Sequence, residues 1–203
     1  MSESLPRALD GLWSAVAEHG WHGATLARIA QAANLSLGDL RRLAPGPLGL
    51  LALHGAATDQ TVLDGTVPTE GESTRDRLFD VLMRRLDTMQ PHRAGLLRLL
   101  KDLPLNPPLA LWLGCETQRS MGWMLEAAGV DSRGALGRLR AKALAGVWLY
   151  TVHAWAKDES PDMSATMAAL DKALDRLEQA AKSLDPFARK AAKPEEAKAE
   201  EAD

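Results

Sequence analysis

The sequence predicts an all-α protein. Three observations carry this: β-branched residues are scarce while Leu and Ala abound, no window alternates apolar with polar side chains for long, and apolar residues recur at three-to-four spacing. The 203 residues are 46% hydrophobic and 25% charged, enough for a packed core without a metal or disulfide and too apolar for a wholly disordered chain.

The elements follow from their punctuation. A first helix runs from about Arg7 to His19, burying Leu9, Leu12, Trp13 and Val16, and stops at Gly20. Thr25 caps a second helix through Ala33. Asn34, tolerant of a left-handed backbone, suits the tight turn that follows. Ser36 caps a short third helix ending before Pro45-Gly46-Pro47, and a fourth runs from about Leu48 to Leu63. Residues 1–63 form a helix-turn-helix domain on this reading, and the Gly-, Pro- and Thr-containing stretch 64–73 is a linker. A second domain, 74–183, holds helices near Arg75–Met89, His92–Asp102, Pro108–Ala128, Gly134–Ala156 and Asp162–Ser183, with Ser160-Pro161 as the start of the last. Residues 184–203, rich in Lys, Ala and Glu, read as a disordered tail.

Several chemistries find no support. There is no Gly-rich phosphate loop and no zinc-type Cys pair, and Gly20 and Gly23 break the helix that would aim His19 and His22 at one ion. Neither a metal nor a cofactor is expected. Nothing brings His153 to Cys115 as a base, and Asp158, Glu159 and Asp162 are explained by the positive end of a helix, so an enzyme is not expected. The lone Cys115 fits a reducing compartment. The N-terminus lacks a basic region followed by an apolar stretch, and the strongly apolar run Val147–Ala156 is about half a membrane span. A cytoplasmic protein without a transmembrane segment is expected.

Three short helices with a tight turn between the last two match a helix-turn-helix. Gly20-Trp21, Thr25, Ile29-Ala30, Asn34-Leu35-Ser36, Gly38, Leu40 and Pro45 make residues 20–51 resemble the N-terminal domain of the TetR family of transcriptional regulators. The resemblance implies a TetR-like fold: a helix-turn-helix bundle followed by a larger helical ligand-binding and dimerisation domain. It implies a regulator of operator DNA that responds to a small hydrophobic effector. Thr25 and Ser36 would offer hydroxyl and helix-end N–H groups to phosphates, Arg28 would reach the backbone or a groove, and Arg41 and Arg42 are the best candidates for DNA contact. Departures accompany it. Leu37 and Asp39 stand where the family favours polar or basic residues, Ala44 replaces a Phe, and Pro47 replaces a phosphate-binding Lys. Residues 1–60 carry Arg7, Arg28, Arg41 and Arg42 against Glu3, Asp10, Glu18, Asp39 and Asp59, a net charge of −1. A DNA reader normally presents a basic footprint, so a helix-turn-helix kept only for packing stays open.

RDRL at 75–78, PHR at 91–93 and WAKDESPDMSATMAALDKAL at 155–174 resemble a second family, the lipid-binding accessory proteins of ubiquinone biosynthesis, which share the fold. That likeness implies the alternative function: a lipid- or isoprenoid-binding accessory protein with a degenerate helix-turn-helix. The basic amphipathic membrane helix of that family has no counterpart in 187–203.

Within the second block, Trp112, Cys115, Arg119 and Trp123 approximate one helix face, and Trp148, Val152 and Trp155 form a tighter stripe. Wide indole walls suit a pocket for a small hydrophobic or lipid-like ligand, with plain core packing as the alternative for any single Trp. Arg119 points either inward to orient the ligand or outward to solvent. In the last helix Met163, Met167, Leu170, Leu174 and Leu177 make a helix-packing seam, and Met167, Leu170, Leu174 and Leu177 are the candidate homodimer interface.

Overall fold

The computed structural model describes residues 3–67 and 71–200, with side chains through Ser183. Among them are α1 (Ser4–Gly23), α2 (Leu26–Ala33), α3 (Leu37–Leu43), α4 (Pro47–Asp64), α5 (Thr74–Met89), α6 (Arg93–Asp102), α7 (Pro107–Ala127), α8 (Gly134–Lys157) and α9 (Ser164–Glu200), with no strand. Single 3-10 turns, Gln90–His92 and Leu103–Leu105, flank α6.

Local chemistry sets the boundaries. Gly20 takes φ 71° and kinks α1 near the predicted stop. A Cβ there would fall 2.7 Å from Asp102 Oδ2, which accepts a 2.7 Å hydrogen bond from the Trp21 N–H, so the kink ties α1 to the end of α6. Thr25 and Ser36 cap α2 and α3 as expected, and Asn34 closes α2 in the left-handed conformation. The last helix departs from expectation at both ends. Met163 is left-handed, so α9 starts at Ser164 and not at Ser160-Pro161. Asp158 supplies its start instead, accepting from the Thr166 N–H and hydroxyl, each at 2.7 Å. At the other end the helix passes Ser183 and continues to Glu200. The Lys, Ala and Glu that read as a disordered tail are also strong helix formers. Residues 68–70 of the linker and 201–203 of the tail lie outside the described residues.

Two apolar cores form, and the packing crosses the 64–73 linker. The first joins α1–α4 through Leu12, Trp13, Ile29, Leu40 and Leu50 but also takes Leu99 of α6 and Leu109 of α7. The second unites α5, α7, α8 and α9 around Leu82, Met121, Met124, Leu144, Trp155 and Leu170, and takes Val62 from α4. Helices α4 and α7 therefore contribute to both cores, and α6, assigned by sequence to the second block, packs on α1. Leu170 and Leu174 are buried within the chain's own second core. These two offer no surface to a second copy; Leu177 packs against the same core, and Met167 is half-buried.

The residues behind the second resemblance act as staples. Arg75 pairs with Asp171 and, at 2.8 Å, with Asp175, joining α5 to α9. Arg93 donates to the carbonyls of Trp155 (3.0 Å) and Asp158 (2.9 Å), closing the end of α8. These contacts account for RDRL, PHR and the 155–174 motif as supports of the fold.

Candidate DNA-reading helix and effector cavity

α3 stands at the surface. Within 36–43 only Leu40 is buried, and it anchors the helix in the first core. A capping box starts it: Ser36 Oγ accepts from the Asp39 N–H at 3.1 Å, and Asp39 Oδ2 accepts from the Ser36 N–H at 3.1 Å and the Ser36 hydroxyl at 2.6 Å. The Ser36 bonds, with a lesser contribution from Arg42, hold the Asp39 carboxyl below the usual carboxylate range. Asp39 thus has a structural reason to stand where the resemblance calls for a polar or basic residue.

The same carboxylate also binds the Arg42 guanidinium. Arg28 turns back on its own chain and donates to the Gly23 carbonyl at 2.8 Å. Arg7, absent from the predicted contact set, donates to the carbonyls of Ala33 and Asn34 and closes α2. Arg41 is exposed and, among the described residues, has no hydrogen-bond or ion-pair partner. Of the predicted cations it is the one free to meet a polyanion. Thr25 and Ser36 are exposed but already engaged in capping.

Behind this domain lies a cavity of about 720 Å³, walled by α1, α4, α5, α6, α7 and α8. Five of the six tryptophans line it: Trp13, Trp112, Trp123, Trp148 and Trp155. Val152 and Arg119 line it too, so the structure brings together all the predicted ligand residues except Cys115. That thiol is exposed and borders a separate shallow recess with Gln118 and Arg138. At 100° per residue it sits at the edge of the α7 stripe, and Glu116 and Ser120 take the cavity side. Arg119 is exposed and held by Glu116 at 2.5 Å, which answers the question of its direction: it snorkels at the rim.

The buried polar part of the wall was not foreseen. Arg85 of α5 is ion-paired with Asp59 of α4, and Ser120 of α7 donates to the same Asp59 oxygen at 2.6 Å. The Arg85 guanidinium also stands 5.2 Å from the centre of the Trp148 ring. His54 is buried edge-on to Trp13, with ring centres 4.9 Å apart, and edge-on to His92 at 5.3 Å. Burial first, then electrostatic repulsion from the neighbouring His92 and Arg85, pushes His54 down to about 3, so the ring is neutral at ordinary pH. These partners come from five helices and the Gln90–His92 turn, and no spacing along any one of them announces the cluster. Among the described residues, no group of His, Cys, Asp and Glu has the arrangement to hold a metal ion, and no helix is long and apolar enough to cross a membrane.

This arrangement of a small capped helical unit on a larger cavity-bearing bundle recurs in solved structures. A TetR transcriptional regulator from Nitrosomonas europaea ATCC 19718 superposes with a TM-score of 0.67 at 18% identity, covering 86% of this chain and 98% of that one. The chain has the TetR fold. A TetR transcriptional regulator from Rhodococcus sp. RHA1 matches at 0.60 with 17% identity over 85% and 93% of the two chains. A further regulator of this fold from Rhodococcus sp. matches at 0.59 with 20% identity over 86% and 98%. No protein-family model and no curated protein sequence matches the chain. Within the TetR fold, α2 and α3 are the helix-turn-helix foreseen at 20–51.

Proposed function

We propose that this protein is a DNA-binding transcriptional regulator, acting in the cytoplasm as a homodimer and switched by a small hydrophobic molecule. One observation carries the reading: only three residues separate α3 from α4, which then forms a wall of the cavity from Leu51 to Leu63. A molecule that fills the cavity bears on the helix that follows the reading helix. Trp13 of α1 lines the same space, so the ligand also meets the core of the DNA-reading unit directly. The ligand shifts the reading unit by its difference in affinity for the two arrangements of α4.

The homodimer reading moves from the α9 seam to α8. Leu136, Leu139, Ala143, Gly146 and Tyr150 follow at three-and-four spacing, and Leu136, Leu139 and Tyr150 are exposed large side chains at 57%, 57% and 44%. The small residues between them let a second copy of the helix approach closely, and an isologous pairing of this stripe matches the commonest assembly of soluble chains.

Gel-shift titration with the DNA upstream of the protein's own gene, from about 50 mM to about 200 mM salt, tests the regulator. A complex that weakens steeply with salt supports it. No complex at the lowest salt refutes it and leaves the second reading, a carrier of lipid-like molecules. That reading is favoured by the Asp39–Arg42 pair, which takes one of two cations out of α3, and by Leu37, 56% exposed on the same helix. Organic extraction of the purified protein followed by mass spectrometry then identifies its cargo.

A further inference from the structure

His54 stands where the cavity meets the helix-turn-helix unit. It lines the cavity from α4, 8% exposed, with its ring edge-on to Trp13 of α1.

Most buried polar groups find a partner, and the wall near His54 largely obeys. Asp59 is held by Arg85 and Ser120, and Glu116 by Arg119, while Gln60 donates to Asp64 at 2.7 Å. Trp13 Nε1, Thr58 Oγ1, Arg85 Nε and Trp155 Nε1 have no partner but are sealed inside the packing, where no ligand reaches them. The His54 ring nitrogens are neither hydrogen-bonded nor among the sealed atoms. On a buried ring that lines the cavity, the surface they keep is the cavity's.

The chemistry of the ring defines what it receives. Burial above all keeps it neutral at ordinary pH. A neutral imidazole presents one N–H and one lone pair, and its tautomer follows the partner it meets. A hydroxyl group suits either nitrogen, since it both donates and accepts. Charged groups are opposed here. A carboxylate drawn to Arg85 meets Asp59, which already holds that guanidinium, and an ammonium meets the same repulsion from Arg85 that bears on His54. Around this polar point the wall is aromatic, with indoles from α1, α7 and α8.

We infer that His54 is the polar anchor of the effector, and that the effector is an uncharged aromatic molecule bearing a hydroxyl group, of the phenol or aryl-alcohol class. The hydroxyl bonds to a ring nitrogen of His54, and the apolar body lies among the tryptophans. The inference rests on the ligand reading above and adds to it one residue and one functional group.

Equilibrium dialysis of the full chain against naphthalene, 2-naphthol, 2-naphthoate and 2-(aminomethyl)naphthalene tests it. The naphthol is expected to bind roughly three- to tenfold tighter than naphthalene, and to exceed the two charged probes by more. His54→Phe keeps a ring beside Trp13 but has no nitrogen. In that variant, checked for native melting, the naphthol falls to the affinity of naphthalene, which stays unchanged. Where His54→Phe does not fold, the natural chain answers by itself. In proton–nitrogen spectra of its histidine rings, the naphthol is expected to shift a His54 nitrogen much further than naphthalene does, and equal shifts overturn the anchor. So do equal binding of naphthol and naphthalene, and tighter binding of the naphthoate or the amine. A hydroxyl preference untouched in His54→Phe overturns it too, and passes the contact to another unsealed donor such as the Trp148 indole N–H. All these outcomes leave the cavity a ligand site. Binding of none of the four probes overturns the ligand reading itself, and this inference with it.

Discussion

Gly95 of α6 passes so close to Trp13 of α1 that a Cβ on it would fall 2.6 Å from the Trp13 carbonyl oxygen and 2.9 Å from the edge of its ring. Trp13 belongs to the first core and to the cavity wall at once. The hydrogen side chain of Gly95 therefore sets how near α6, an element beyond the linker, approaches the helix-turn-helix unit. Backbone blocks the way on one side, so the added methyl of Gly95→Ala has nowhere to relax. We expect a loss of about 1–3 kcal/mol and a melting temperature lower by roughly 2–4 °C for each kcal/mol, measured by calorimetry.

His54 gives stability a pH dependence with a definite sign. Its folded-state value is depressed to about 3, below the ordinary 6.5 of an unfolded histidine. Between these values the unfolded chain takes up a proton that the folded chain refuses, so this contribution is complete above about pH 6.5 and is lost as pH falls. The slope reaches about 1.4 kcal/mol per pH unit. Asp39 and Asp102, held low by their hydrogen bonds, stay ionised over this range in the folded state. Urea unfolding at about pH 7.5 and about pH 5 is expected to differ by about 2 kcal/mol from this group, and His54→Gln removes that difference.

Leu170 and Leu139 separate packing from assembly. Leu170 is fully buried in the second core, so Leu170→Ala is expected to cost about 2–5 kcal/mol in unfolding free energy. Leu139 is exposed on the α8 stripe. Leu139→Glu is expected to leave the melting of the single chain nearly unchanged while shifting sedimentation towards monomer. A variant that still sediments as a dimer removes the stripe from the interface.

Arg41 tests the proposed contact of α3 with DNA. Because no partner among the described residues holds it, Arg41→Ala is expected to weaken binding to all sequences alike and to lower the slope of log affinity against log salt by about 0.9 per chain. Arg42→Ala is expected to have a smaller effect, since Asp39 already engages that guanidinium. Equal effects from both would show that Asp39 releases Arg42 when DNA arrives.

The positions of the helices before α9, the left-handed turn at Asn34, the capping by Thr25 and Ser36 and the helix-turn-helix were determined by the sequence itself, because each rests on contacts within about four residues. Tryptophan spacing in α7 and α8 likewise marked out six of the seven predicted cavity residues. Tertiary structure alone decided the rest. Helical periodicity defines an apolar face without naming what covers it: the Leu170–Leu174 seam turned inward, the α8 stripe outward, and Cys115 fell to the edge of its face. The pairing of Asp59 with Arg85 and the entry of Trp13 into the cavity depend on how separate helices cross. No pattern along a single element encodes such a crossing, because it is set by the packing of all their faces together.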